Sequence, residues 1–160
     1  MRNAFRAFAS GELSQPSGSY ALAAETYTFD FFPIVNSEYD YPCPDPGFQP
    51  APGQSLEAFL TESVRGVIDL VSHVEVQVDG VAVKKPEDYR VTSRLFHFTG
   101  DPSLTAAYDA CITGSSQPAV SDGYWIMLEP LSRGTHTIHF RGEIETIGFE
   151  TEVTYTLHVK

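Results

Sequence analysis

The sequence predicts a mainly β protein: an antiparallel β-sandwich, immunoglobulin-like or jelly-roll-like, with one inserted amphipathic helix at about residues 55–71. Three observations predict it. Hydrophobicity alternates with period two through several short segments, which is the signature of strands with one buried face. Turn-forming residues separate those segments, with 12 Gly and 11 Pro in 160 residues. Only one stretch carries helical spacing, so the helix is an insertion into a β framework.

Residues 1–19 are small and polar and end in Ser14-Gln-Pro-Ser-Gly-Ser19, which reads as a flexible leader. Residues 20–160 read as one domain, a length able to bury its own core. The first strand is predicted over 23–35, where Tyr27, Phe29 and Phe31 alternate with Thr26, Thr28 and Asp30. Residues 36–54 hold five prolines and two glycines and are expected to form a long irregular loop. In the helix, Ser55 is the expected N-cap. Leu56, Phe59, Leu60, Val64, Val67, Ile68 and Val71 make one apolar stripe, and Arg65 is placed to pair with Asp69. That stripe should pack on a sheet containing Ile126, Leu128, Ile138 and Tyr155.

Beyond the helix the period returns to two. Val74, Val76 and Val78 share a face, Asp79-Gly80 makes a tight turn, and Val81-Ala-Val83 returns. Residues 89–99 read as one or two strands, and 100–121 as a second irregular region. Residues 123–129 are apolar on both faces, which predicts a central buried strand with Trp125 in the core. Residues 135–140 are its neighbour, and 149–159 close the fold as a strand with one wet face.

Charge excludes one class of partner. The formal net charge is −11, with no Lys or Arg between Arg6 and Arg65, so nucleic acid is not expected. No apolar run is long enough to span a bilayer. Cys43 and Cys111 are the two cysteines, neither in a CxxC pair, so zinc has no support and a disulfide between them is predicted. Its Cα atoms should lie about 4.4–6.8 Å apart. Two separate buried thiols are the alternative. A disulfide places the protein outside the cytoplasm: secreted, periplasmic or at the cell surface. The first ten residues, however, lack the apolar stretch of a signal peptide.

The run Asp122-Gly-Tyr-Trp-Ile-Met-Leu-Glu-Pro-Leu-Ser-Arg-Gly-Thr-His-Thr-Ile-His-Phe-Arg-Gly142 resembles a segment of a family of uncharacterised bacterial exported proteins. That family reads roughly DGYW-ML-PL-PG-HTIHF-G, followed by a VTY-L-V strand, here Val153 to Val159. Phe31-Phe-Pro-Ile-Val-Asn36, Val76-Gln-Val-Asp-Gly80 and Tyr89-Arg-Val91 resemble further parts of it. The likeness covers about residues 22–160. It departs at the N-terminus, where family members often carry an export signal and a Trp-rich segment. The resemblance implies export and a β-rich fold, and it brings no activity.

Candidate site residues come from the 36–48 segment. Asn36, Glu38, Asp40 and Asp45 supply hard oxygen ligands in close succession, which makes calcium the one cofactor to consider. The glycine and distal glutamate of an EF-hand are missing. Tyr39, Tyr41 and Phe48 could offer aromatic platforms to a sugar or a protein, or could pack the loop onto the sandwich. His136 and His139, three apart on a strand, point to opposite faces and cannot share a metal. Nucleophile elbows, P-loops and dinucleotide fingerprints are absent from the sequence. The leading expectation is an exported, non-catalytic binding or adhesion module for carbohydrate or protein. The alternatives are a hydrolase- or lyase-type enzyme using loop carboxylates and strand histidines, and a structural domain of a cell-surface assembly. The oligomeric state is left open.

Overall fold

The computed structural model describes residues 18–20, 30–107 and 109–159. Most of the leader, and residues 21–29 with the first part of the strand predicted over 23–35, lie outside the described residues. The strands in chain order are β1 Gly18–Tyr20, β2 Asp30–Asp40, β3 His73–Val78, β4 Val81–Ala82, β5 Arg90–Thr92, β6 Phe96–Thr99, β7 Ser116–Leu128, β8 Gly134–Ile144 and β9 Phe149–Val159. Helix α1, Leu56–Ile68, follows β2, and a four-residue helix, α2, Leu104–Ala107, precedes β7.

Two sheets face each other, as the alternating segments predict. The first has the order β1-β9-β8-β3-β4, antiparallel except where β1 joins β9 in parallel. In the second, β7 is central. It pairs with β2 along one edge, and with β5 and β6 in tandem along the other. Between the sheets lie Phe32, Ile34, Val35 and Ile126 from one side and Val76, Ile138, Phe140, Phe149, Val153 and Leu157 from the other. The rings of Phe32 and Phe140 stack across the layers with centroids 5.4 Å apart. Asp79 and Gly80 both take positive φ, 51° and 75°, the geometry that lets a two-residue turn follow the strand twist.

Helix α1 begins where its cap requires, with Ser55 Oγ accepting from the Ala58 amide at 3.2 Å. It packs on β2 and β7. Its stripe divides: Ile68 joins the core between the sheets, with Ile126 and Ile138 buried and Leu128 and Tyr155 packed against it. Leu60 and Val64 form a second core with Val120 of β7. The expected Arg65–Asp69 pair does not form. Arg65 points to the Thr92 hydroxyl instead, and Asp69 is taken by Arg90 at 2.7 Å.

Two boundaries differ from the sequence reading, for one reason. Strand β2 runs on to Asp40, five residues past the expected end, and β7 starts at Ser116 rather than after Ser121. The two extensions pair with each other, Asn36 to Gly123 through Asp40 to Ala119. Polar residues on one face hid this ladder, because strand alternation needs only one apolar face to be stable and here the pattern mixes. Pro33, which marks a strand end or an edge position, lies within β2, an edge strand of its sheet. A register shift between Pro33 and Val35 absorbs it, as bulges commonly absorb proline. Gly123 pairs with Asn36 just beyond that shift, and a Cβ there would come within 2.5 Å of the Val35 carbonyl oxygen.

Cys43 and Cys111 are bonded, with Cα atoms 4.3 Å apart, just below the expected range, closing a separation of 68 residues. The bridge ties the loop after β2 to the loop before β7. Gln117 clamps the same loop, donating to the Cys111 carbonyl at 2.9 Å and accepting from the Thr113 amide at 2.8 Å.

Candidate functional site

The two faces of β7 have different fates. Val120, Asp122, Tyr124, Ile126 and Leu128 point toward the first sheet or the helix. Gln117, Ala119, Ser121, Gly123, Trp125 and Met127 point away from it. The 109–115 loop covers this outer face at the Gln117–Ala119 end. Beyond Ser121 it opens into a groove of about 770 Å³, within the usual size range of small-molecule sites, roughly 300–1,000 Å³.

The groove is built by period two from four strands. Phe31, Asn36 and Glu38 come from β2, and Ser121, Trp125 and Met127 from β7. Val91 comes from β5, Ser93 follows it, Phe96 and Phe98 come from β6, and Tyr89 stands just before β5. Trp125 lies flat on Phe31, with centroids 5.1 Å apart and planes 4° from parallel. Phe31 and Met127 keep 58% and 60% of their surface exposed, and Tyr89 and Val91 are exposed too. Four of the eight large apolar side chains exposed among the described residues therefore share one groove, and a clustered exposed apolar patch marks a binding surface.

Its polar end is acidic. Glu38 opposes Ser121 in the ladder and is 8% exposed. Its Oε1 is buried with no hydrogen-bond partner among the described residues. Burial, then the charge of Asp40 two residues along the same strand, with Asp109 adding to it, pushes the Glu38 carboxyl up to about 7. Asp40 and Asp109 are themselves buried, Asp109 within the disulfide-tied loop. Asp109 accepts the Cys111 amide at 2.9 Å. Among the described residues no Lys, Arg or His lines the groove.

The inner face of the same sheet carries a different polar group. Asp122 is fully buried, and the Arg90 guanidinium grips both its oxygens, at 3.2 and 2.6 Å, while reaching Asp69. This ion pair joins β5, β7 and the end of α1, and it serves the scaffold.

The residues singled out from sequence separate into three places. Asn36 and Glu38 line the groove, and Asp40 lies on the same strand face. Asp45 stands apart, exposed, its Oδ1 accepting the Gly47 amide at 2.8 Å. The four oxygen ligands expected of one calcium loop thus belong to a strand and a separate turn. Among the described residues no three His, Cys, Asp or Glu side chains gather as a metal site. Tyr39, Tyr41 and Phe48 turn inward: Phe48 sits 4.5 Å from the Phe59 ring and 5.7 Å from Tyr39, in the core of Leu60 and Val64. Tyr41 donates its hydroxyl to Gln49 at 2.6 Å. Those rings hold the loop to the helix and leave the groove to others.

The groove aromatics escaped the sequence reading. Trp125 was expected in the core and instead walls the groove. The signal was present: 123–129 is apolar on both faces, which fits a strand covered twice or a strand with a ligand face. Three of the five histidines have local polar partners given by hydrogen bonds. His136 meets Asp79 at 2.7 Å, His139 meets Glu152 at 3.1 Å, and His158 meets the Thr135 hydroxyl at 3.1 Å. No known family, curated protein or solved structure matches this chain. Among the described residues no helix is long and apolar enough to cross a membrane.

Proposed function

We propose that the protein is a non-catalytic binding module whose site is the groove on the outer face of the second sheet, and whose ligand is a small, largely apolar molecule. One observation carries this reading: exposed Phe31, Tyr89, Val91 and Met127 converge with Trp125, Phe96 and Phe98 on one concavity. Apolar walls with a few placed polar groups are the common form of small-molecule sites. A sugar would need more hydrogen-bonding groups at the rim than Asn36, Glu38, Tyr89, Ser93 and Ser121 provide. The disulfide supports placing the module outside the cytoplasm, where such bonds persist. An enzymatic reading is weaker, because among the described residues no histidine reaches the groove to complement Glu38.

The test uses Nile red, an uncharged apolar dye. Wild-type protein should bind it saturably, and Val91→Glu and Met127→Glu, which put charge on exposed walls, should abolish binding without lowering the melting temperature. Absence of saturable binding in the wild type, or binding untouched by both changes, would refute the groove as the site.

A further inference from the structure

We infer that Glu38 makes the groove selective for amphiphilic amines, with the apolar body along Phe31, Trp125 and Met127 and the ammonium group seated on the Glu38 carboxylate. The inference rests on the groove being the binding site. The groove has a direction. From Phe31 to Glu38 is seven residues of strand, a length on the order of 20 Å at about 3.3 Å per residue. Phe31 and Met127 face each other at the apolar end, and Glu38 and Ser121 at the polar end.

The polar end asks for a cation. Glu38 is more than nine-tenths buried, lines the groove, and among the described residues leaves Oε1 without a donor. Among the described residues, Asp40 on its own strand and Asp109 from the loop before β7 are the charged groups that act on it, and both are acids. The other elements packed there present Ser121 from β7, Ser93 after β5, and Phe96 and Phe98 from β6, none of which carries charge. Tyr89 is the remaining titratable group of the wall. A neutral hydroxyl could supply the missing hydrogen bond, but only an ammonium supplies the bond and the opposite charge together. The faces of nearby aromatic rings favour a cation as well. A carboxylate ligand would meet repulsion from three acids.

Binding of the ammonium form requires ionised Glu38, so affinity should follow the ionised fraction. With the free carboxyl near 7, that fraction is about one tenth at pH 6 and nearly complete at pH 8, and apparent affinity scales with it. The chain contains one tryptophan, Trp125, so its fluorescence reports the groove alone. The experiment titrates octylamine, 1-octanol and octanoate, below their aggregation thresholds, at pH 6 and pH 8. At pH 8 octylamine should bind at least about tenfold tighter than octanol, with octanoate weakest. At pH 6 the amine should weaken by roughly tenfold while octanol is unchanged. Glu38→Gln should lose both the amine preference and its pH dependence. If Glu38→Gln does not fold, the wild-type pH dependence of the amine-to-alcohol ratio decides. Equal binding of amine and alcohol, or a preference that survives in Glu38→Gln, would overturn the inference and leave the groove standing. If no probe perturbs Trp125, the groove reading itself fails, and this inference with it.

Discussion

The inner and outer faces of the second sheet are built from the same strands in the same alternation, yet one is a core and the other a groove. On the inner face Phe32 and Ile126 meet the first sheet and are almost wholly buried. On the outer face Phe31 and Met127, one residue away in each strand, meet no covering layer. Both faces also carry a carboxylate. Asp122 is inside, clasped by Arg90, and Glu38 is outside, short of a donor among the described residues. The difference shows that apolarity does not by itself mark a core, and that a buried acid belongs to the scaffold when its partner is built in.

The comparison can be broken at Arg90. Arg90→Ala would strand Asp122, fully buried, without its cation, and breaking such a pair costs about 3–5 kcal/mol. Urea unfolding should show that loss, and adding Asp122→Asn should recover part of it. A loss under about 1 kcal/mol would mean that the inner acid is no more anchored than the outer one.

Neighbouring side chains on opposite faces sharpen the contrast. Ile126→Ala should destabilise by about 2–5 kcal/mol, as a cavity between packed sheets does. Leu60→Ala, in the core under the helix, should fall in the same range. If Ile126→Ala proved as mild as a surface change, the two faces would not differ as described.

Glu38→Gln should act in the opposite direction. The folded-state carboxyl is raised from 4.5 to about 7. The stability this gives is therefore complete below about 4.5 and is lost as pH rises through 7. Wild-type protein should lose up to about 3 kcal/mol from this group between pH 4.5 and pH 8, by the usual conversion of such a shift. The glutamine variant has no such loss, so its melting temperature should exceed that of the wild type at pH 8 and approach it at pH 5. Parallel pH curves for the two proteins would show that Glu38 is not held in its neutral form by the groove.

The smallest effect is expected at Met127. Met127→Ala on the outer wall should change stability by about 0.5 kcal/mol or less, the usual size for exposed positions, while weakening Nile red binding. A loss comparable to that of Ile126→Ala would mean that the outer face is packed after all.

Much of the scaffold was legible in residue order. The alternation of Phe149 to Val159, the Asp79-Gly80 turn, the Ser55 cap and the stripe of Leu60, Val64 and Ile68 are local patterns, and local geometry suffices to read them. The Cys43–Cys111 bond was legible because only two cysteines were available. The extended pairing of 36–40 with 119–123 was not. A ladder between segments some eighty residues apart has no local signature when one face of it is polar.

The candidate site divides in the same way. The sequence by itself determined that acids crowd residues 36–45 with no basic residue near, and that 123–129 is apolar on both faces. Tertiary structure alone decided which of those acids would be buried against apolar walls. It also decided that Tyr39 and Phe48 would pack inward while Trp125 faced out. The physical reason is the two-residue period of a strand. It assigns side chains to alternate faces, but which face meets a second layer depends on sheet and helix packing that distant segments supply.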